Sequence, residues 1–306
     1  MKTVKKLIKT FCLIISFLML GTAANAATVV VGDVNGDGSI TMSDANAVVN
    51  YFLATTKPSD FNKAAGDVNG DGSITMSDAN MIVNMFLSGN ITYIVDGHEA
   101  VDLGLSVKWA TCNIGAEHPQ DRGNHFAWGE TKPKSNYSWS TYKWCNGTSS
   151  SLKKYTEGND LSVLITLEPA DDAAAANWGG TWRMPSRDEM SKLKNKCYWE
   201  WTNSYNGTGA KGWIVYKVKA EEDEGVVKKE GSSVTTSATY SLSDTHIFMP
   251  SAGWYLGTEL WSETDAMYWT STIDSSPEYA WYIECGNQYW SCLDRCYGLS
   301  VRAVCP

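Results

Sequence analysis

The chain has 306 residues, of which 43% are hydrophobic and 19% are charged, and its formal net charge is -9. These values are typical of globular protein with room for one small and one larger domain. The acidic balance gives no electrostatic basis for binding nucleic acid or an anionic membrane surface.

Residues 1–26 are predicted to be a signal peptide. Four lysines, at positions 2, 5, 6 and 9, precede an apolar run from Phe11 to Leu20 that is short for a membrane span. Ala24-Asn25-Ala26 then supplies a cleavage site with small residues. Cys12 lies inside the apolar run and not after a lipobox, which disfavours a lipoprotein. We therefore expect a secreted, extracellular protein with no membrane span after leader cleavage.

Two nearly identical loops follow the leader. The stretch from Gly32 to Asp44 returns almost letter for letter from Gly66 to Asp78, 34 residues later. Each copy has Asp, Asn and Asp at loop positions 1, 3 and 5, a glycine at position 6 and a carboxylate at position 12. This is the ligand spacing of a calcium loop, in which glycine permits the sharp turn. The predicted ligands of two Ca²⁺ ions are Asp33, Asn35, Asp37, Ser39, Thr41, Asp44, Asp67, Asn69, Asp71, Ser73, Thr75 and Asp78.

An amphipathic helix is predicted after each loop. Apolar residues recur at i, i+3, i+4 and i+7 in both copies. They are Ala45, Val48, Val49 and Phe52 in the first copy and Ala79, Ile82, Val83 and Phe86 in the second. Two such helices form a very small core, so calcium is expected to supply much of the folding free energy.

Residues 28–90 resemble a type I dockerin, an extracellular module that docks on the cohesin domains of a scaffold protein. The likeness covers both loops, the missing entering helix and the duplicated exit helix. It implies a small all-α domain and a cellulosome-like, polysaccharide-degrading assembly, which could hold the protein at a cell surface. It also implies cohesin contacts by Met42, Ser43, Asn50, Met76, Ser77 and Asn84. These positions are filled identically in the two copies, so either copy could face the partner after a half-turn.

Two other interpretations of the repeat remain open. The loops could be calcium-stabilised structure without a partner. The period of 34 residues is also that of tetratricopeptide repeats, but acidic loops and only two copies disfavour that architecture.

The larger domain is predicted to begin at residue 91, because the composition changes near Ser88-Gly89-Asn90. All 14 tryptophans lie between Trp109 and Trp290. Residues 93–115 are predicted to form strands, with a hairpin turn at Asp96-Gly97 and alternating apolar residues from Val101 to Trp109.

Two helices and a series of strands are predicted further along. The first helix covers 171–177 and ends at Gly179-Gly180, and Ser186 and Glu189 form a capping box that opens a second helix through about Asn195. The Trp, Gly and Pro residues between them are interpreted as scaffold. Residues 212–220 are predicted to form a strand, 221–245 a polar loop or hairpin, and 247–304 several short strands.

Seven cysteines remain after leader cleavage, and some are expected to pair in an oxidising compartment, with at least one left over. The positions are Cys112, Cys145, Cys197, Cys285, Cys292, Cys296 and Cys305. Zinc binding by Cys292 and Cys296 is a weak alternative, because no histidine lies near them in the sequence.

Four motifs in the larger domain resemble the Fibrobacter succinogenes major paralogous domain. They are the stretches 101–113, 126–131, 178–185 and 300–302. The motif around Trp182-Arg183-Met184-Pro185 is also similar to the formylglycine-generating-enzyme group. The resemblance implies a C-type-lectin-like α+β fold in which the first and last strands pair, bringing Val101–Thr111 beside Leu299–Val304.

A binding module is the function that we expect for the larger domain. Its aromatic residues are concentrated in the C-terminal third, and exposed rings stack on sugars or anchor protein interfaces, although most of these rings are expected to be core. The predicted ligand-binding residues are Trp254, Tyr255, Trp261, Tyr289 and Trp290. The ligand would be a glycan or a cell-surface protein.

Two enzyme classes are the alternatives. A formylglycine-generating oxidase would use a copper-binding cysteine pair among Cys285, Cys292 and Cys296. A carbohydrate-active hydrolase would need two carboxylates across a sugar cleft, and the sequence indicates no such pair. We therefore expect a non-catalytic protein.

Overall fold

The structure is a computed structural model that describes residues 29–69, 71–89, 91–156, 166–286 and 289–306, without the side chains of residues 88, 289 and 290. The predicted signal peptide, residues 1–26, lies outside the described residues. Residues 29–89 are called the repeat segment below, and the described residues from 91 to 306 are called the C-terminal region. Among the described residues, no helix has the length and apolar character that crossing a bilayer requires.

The repeat segment contains the two predicted helices, each directly after its loop. They are α1 (Met42–Leu53) and α3 (Met76–Ser88), with a short helix α2 (Lys63–Gly66) between them. Thr41 and Thr75 cap α1 and α3 through capping boxes, which explains why both helices begin at the same loop position. The helices pack on each other through Val48 and Ile82, which are fully buried.

The prediction that Phe52 and Phe86 belong to the core is wrong. Phe52 and Phe86 are 43% and 44% exposed. In the first copy Tyr51 is buried instead, because the ring of Phe61 stacks on it with centroids 4.1 Å apart. The core between the two helices does not extend to the helix ends. The apolar periodicity therefore predicts a core that is one turn too long.

The C-terminal region is mostly strand. Its strands are β2 (Thr92–Val95), β3 (His98–Val101), β4 (Lys108–Asn113), β5 (His125–Phe126), β6 (Cys197–Thr202), β7 (Gly212–Lys217), β8 (Val227–Lys228), β9 (His246–Pro250), β10 (Trp254–Leu256), β11 (Glu259–Trp261), β12 (Met267–Ile273), β13 (Tyr279–Glu284), β14 (Tyr289–Asp294), β15 (Leu299–Ser300) and β16 (Arg302–Cys305). Its helices are α4 (Ala173–Trp178) and α5 (Arg187–Lys196). The chain is therefore α+β, as predicted.

Three larger sheets and one hairpin organise these strands. One further strand, β1 (Val29–Val30), belongs to the first of them. The sheet orders are β1-β2-β3-β4-β16, β14-β13-β12-β15-β5 and β8-β6-β7-β9, and β10 pairs with β11. Strand β1 lies at the start of the repeat segment, yet it pairs antiparallel with β2 of the C-terminal region. The prediction of an all-α module over 28–90 is therefore wrong at its N-terminal end, where two β-branched valines extend the sheet edge.

The predicted pairing of Val101–Thr111 with Leu299–Val304 holds for part of each stretch, because Leu299–Ser300 form β15 and pair with β5 and β12 instead. Strand β16 runs antiparallel to β4, with Val304 opposite Trp109. The alternating run from Val101 to Trp109 is not one strand, however, because residues 102–107 form a connection between β3 and β4. Gly104, at φ +77°, turns the chain within that connection.

The stretch around α4 and α5 is scaffold, as the sequence predicts. The indole of Trp182 is buried and donates to the carbonyl of Val95 over 2.8 Å. Gly180 is required where it stands, because a Cβ there would lie 1.9 Å from the carboxylate of Asp96, which accepts from the Thr181 amide. These contacts join the loop before α5 to the turn between β2 and β3.

All seven described cysteines are free thiols, so the expectation that some pair is wrong for this structure. Desolvation raises the pKa of Cys197 to about 12 and that of Cys305 to about 11. The thiol of Cys145 donates to the carbonyl of Trp139 over 3.0 Å. These cysteines pack as small apolar residues within the core clusters.

Candidate functional site

The two acidic loops hold their own side chains against the loop backbone. In the first loop the carboxylate of Asp33 accepts from the amides of Gly36, Asp37 and Gly38 at 2.8–3.1 Å. The amide oxygen of Asn35 accepts from the backbone of Asp37 in the same way. Gly38 at loop position 6 has φ +87° and Gly72 in the second loop has φ +83°, which is the turn that this position was predicted to need.

The carboxylate at position 12 ties the beginning of each loop to its end. Asp44 accepts from the amides of Val34 and Asn35 through one oxygen and from the amide and hydroxyl of Thr41 through the other. Asp78 makes the corresponding four bonds in the second loop. Both side chains are fully buried. The loop closure and the start of the following helix therefore depend on one carboxylate.

The predicted acidic ligands are not assembled around a common point. Among the described residues, no group of three or more Asp, Glu, His or Cys side chains is arranged to hold a metal ion. In the first loop the reason is geometric, because Asp37 turns to the amide of Ser39 and Asp44 turns to the loop backbone.

The second loop contains an oxygen that fits a hard cation. Oδ1 of Asp67, at position 1, is buried and has no hydrogen-bond partner among the described residues, while its Oδ2 accepts from Gly72 over 2.8 Å. A buried carboxylate oxygen without a partner is costly. The predicted side-chain donors are all oxygens, which is the ligand set that Ca²⁺ prefers. The residues present therefore fit a calcium ion in chemistry, and Asp67 would be one of its ligands.

The predicted docking residues form two exposed sets. Met42, Ser43, Asn50, Met76, Ser77 and Asn84 are all exposed, so the structure leaves each of them free of the helix core. Met42 and Met76 begin α1 and α3, and the asparagines lie two turns further along the same helices.

The sequence reasoning missed four apolar residues beside these sets. Phe52 and Leu53 are exposed at the end of α1, and Phe86 and Leu87 are exposed at the same positions of α3. Exposed apolar patches of this kind mark interaction sites. The sequence shows that the Phe-Leu pair is duplicated with the rest of the helix, but it does not show that the pair is exposed.

The aromatic residues predicted to bind a ligand in the C-terminal region divide into two groups. Trp254 and Trp261 lie opposite each other on β10 and β11, with ring centroids 6.1 Å apart, and Trp261 is 50% exposed. Tyr255 points to the other face of the hairpin and packs between His125 and Tyr137. The side chains of Tyr289 and Trp290 lie outside the described residues. Trp254 and Trp261 are thus the pair that the structure brings together.

The cysteines of the oxidase alternative are separated and protonated. Cys285 is buried in one core cluster and Cys296 in another. Desolvation raises the pKa of Cys285 and raises that of Cys296 to about 12. Cys292, on β14, is half-buried, and desolvation raises its pKa as well.

Histidine 246 has partners that its sequence context did not reveal. Its Nε2 lies 2.9 Å from the hydroxyl of Tyr205 and its Nδ1 lies 2.7 Å from the carbonyl of Asp244. The pair lines a cavity of about 210 Å³ between β9 and the turn at residue 205. Burial lowers the pKa of His246, so the neutral ring accepts from the tyrosine and donates to the carbonyl.

A comparison with protein families identifies the repeat segment. Residues 31–87 match the sequence model of the family described as the dockerin type I domain. The match covers both loops, all of α1, and α3 except its last residue. These are the features predicted from the duplicated sequence. Comparisons with curated proteins and with solved structures found no match.

Proposed function

We propose that the type I dockerin at residues 31–87 docks this protein, through its exposed helix faces, on a cohesin domain of an extracellular scaffold. The observation that carries the proposal is the duplication of an exposed surface. Met42, Ser43 and Asn50 recur as Met76, Ser77 and Asn84, and every one of them is exposed. The two methionines and two asparagines lie outside the buried core between the helices, so packing of that core does not explain why they are repeated so closely.

Either helix can present this surface to the same partner. The two sets occupy equivalent positions of two helices that pack on each other through Val48 and Ile82. A half-turn of the dockerin exchanges one set for the other. The exposed Phe-Leu pairs at the ends of α1 and α3 extend both faces with apolar area, which is the component of an interface that contributes most to affinity.

Docking requires two calcium ions in this proposal. The donors are those at positions 1, 3, 5, 7, 9 and 12 of each loop, from Asp33 to Asp44 and from Asp67 to Asp78. When bound, the ions supply positive charge among three carboxylates in each loop and fix the loop against the helix that follows. The residues themselves orient Met42-Ser43 and Met76-Ser77, because Asp44 and Asp78 connect each loop to the first turn of its helix.

The C-terminal region is proposed to be a non-catalytic, C-type-lectin-like domain over residues 91–306 that follows a dockerin over 28–90. Pairing of β16 with β4 and the scaffold around Trp182 support this fold. The half-exposed pair Trp254 and Trp261 supports a ligand-binding surface for glycan or protein. The predicted leader supports secretion and placement on a polysaccharide-degrading assembly at the cell exterior. The position of Cys285 and Cys296 in different core clusters disfavours the oxidase alternative.

The test is calorimetric titration of the full chain with cohesin modules from scaffold proteins of the producing organism, with calcium and with chelator. Asp33→Asn and Asp67→Asn each disable one loop while keeping the side-chain shape. We expect each single variant to lose about tenfold or less in affinity, because the other face remains. The double variant should lose binding altogether. Asp60→Asn, in the exposed connection between the repeats, is the matched control and should bind as the unmodified chain does.

Two outcomes would contradict the proposal. Complete loss of binding in one single variant would mean that the two faces are not equivalent. Binding that persists in chelator and in the double variant would mean that the calcium loops do not support the docking face.

A further inference from the structure

A second pair of indoles lies on the four-stranded sheet of the C-terminal region. Trp201 on β6 and Trp213 on β7 are direct cross-strand partners, with ring centroids 5.3 Å apart and planes at 67°. They share the face that carries Trp199 and Val215 into the core. Trp213 is buried and Trp201 is half-buried, so this row of side chains leaves the core at the end of the sheet.

A cavity of about 460 Å³ opens beside these two rings. It is also lined by Asp265, before β12, and by Glu284 and Gly286, at and just after the end of β13. A Cβ at Gly286 would lie 3.7 Å from the indole of Trp213, so a side chain at this position would extend beside that ring. The volume falls in the range that small-molecule sites occupy.

The orientation of Trp201 is fixed by hydrogen bonds. Its indole nitrogen donates to the side-chain oxygen of Asn203 over 3.1 Å, and the amide of Asn203 donates to Glu230 over 2.6 Å. An aromatic ring that is held in place before binding loses little conformational entropy when a ligand stacks on it.

The rim of the cavity contains acceptors and donors in nearly balanced number. Among the described residues it carries three carboxylates and two ammonium groups. They are Glu230, Asp265, Glu284, Lys211 and Lys229. An anionic ligand such as a phosphate would meet a slight excess of negative charge, and a purely apolar ligand would leave the charged groups desolvated.

We propose that this cavity, the Trp201 groove, binds one or more pyranose rings of a neutral oligosaccharide. A pyranose has an apolar face of C–H bonds, which stacks on an indole, and a periphery of hydroxyl groups, which both donate and accept hydrogen bonds. The groove supplies an indole that is already oriented, carboxylates that accept and ammonium groups that donate. The inference rests on the proposed ligand-binding role of the C-terminal region and assigns it a ligand class and a site other than the Trp254–Trp261 hairpin.

The test is isothermal titration of the full chain, in calcium, with cellohexaose, xylohexaose and mannohexaose as separate probes. We expect at least one probe to bind, and Trp201→Ala to weaken that binding about tenfold or more. Leu242→Ala, which removes an exposed apolar side chain that does not line the groove, is the control and should leave the affinity within about twofold. Trp261→Ala tests the hairpin as the competing site. Gly286→Leu is a second variant, because its side chain would fill the cavity without altering Trp201.

The outcomes separate this site from the broader function. If no probe binds, both the carbohydrate assignment and the glycan-binding role fail. If Trp261→Ala abolishes binding while Trp201→Ala and Gly286→Leu do not, the glycan-binding role stands and the Trp201 groove is the wrong site. Trp201-dependent binding of denatured casein in place of the three oligosaccharides would overturn the carbohydrate assignment in favour of a peptide. Cohesin binding should be unchanged in all four variants.

Discussion

The repeat segment and the C-terminal region are held together by different kinds of interaction. Among the described residues, the core cluster between the two long helices of the repeat segment has five buried aliphatic residues, Val34, Ala45, Val48, Ala79 and Ile82. The C-terminal region has two large clusters, each with several fully buried or nearly buried tryptophans. Full burial contributes about 1.5–3 kcal/mol for a large aliphatic side chain, whereas ordering each residue costs about 1–2 kcal/mol of backbone entropy. The small core of the repeat segment is therefore far from sufficient.

The two regions also differ in what their buried polar groups bind. In the repeat segment, carboxylates such as Asp44 and Asp78 connect loop and helix, and the predicted cation would neutralise their neighbours. In the C-terminal region, the most deeply buried charge bonds to the protein itself: Arg302 donates to three backbone carbonyls and to the side chain of Asn113. The carboxylates of the repeat segment offer oxygens that suit a cation, whereas Arg302 has its partners within the protein.

The two regions meet at a short stretch of sheet. Val29 and Val30 pair with β2, and the amide of Val31 donates to the carbonyl of Thr92 over 2.9 Å. Only Val31 and Gly32 separate β1 from Asp33, the first residue of the first predicted calcium loop. This contact is the route by which loss of calcium could reach the C-terminal region.

Removal of calcium is the largest perturbation that we predict. Chelation should abolish the helical circular-dichroism signal of α1 and α3, because the small core cannot hold them without the loops. All 14 tryptophans lie in the C-terminal region, so tryptophan emission reports on that region alone. We expect the emission maximum to remain unchanged while the helical signal is lost. A parallel change in both signals would mean that the β1–β2 contact couples the two regions into one cooperative unit.

The repeat segment was predictable because its signals are local. Ligand spacing, the capping positions Thr41 and Thr75 and the start of each helix all follow from residues within one turn or loop of each other. The exposure of Phe52 could not be predicted, because it depends on how far the partner helix extends. The Trp201 groove was missed for a similar reason: Trp201 and Trp213 become neighbours only when β6 pairs with β7, and the end of β13 lines the same cavity.

Replacement of Arg302 is the second-largest effect that we predict, and it should affect only the C-terminal region. The guanidinium is fully buried, and desolvation lowers its pKa, so its four hydrogen bonds must offset a large cost. Arg302→Lys keeps the charge but has fewer donors and another geometry, so we expect a loss of about 3–5 kcal/mol in unfolding free energy. Urea unfolding followed by tryptophan emission measures it.

A matched arginine at the surface separates burial from charge. Arg122 pairs with Glu263, and both side chains are largely exposed. Arg122→Lys should change the unfolding free energy by less than about 0.5 kcal/mol. Cohesin binding by Arg302→Lys should remain as in the unmodified chain wherever the C-terminal region is still folded. Loss of docking in that variant would contradict the independence of the two regions.

Acidification gives the smallest effect, again confined to the C-terminal region. Desolvation lowers the pKa of three of its histidines, His98, His125 and His246, below the unfolded value of about 6.5. Below that value the unfolded chain binds more protons than the folded one, so stability should fall as the pH decreases from 7.5 to 5.5.

For His246 the physical reason is direct, because protonation would place a second donor against the hydroxyl of Tyr205 in a partly buried site. His246→Gln keeps an acceptor near that hydroxyl without a titrating group, so it should reduce the dependence of urea unfolding on pH, measured in calcium by tryptophan emission. The exposed His118→Gln should not reduce it. An unchanged slope in His246→Gln would assign the pH dependence to His98 and His125, which the corresponding glutamine variants would then separate.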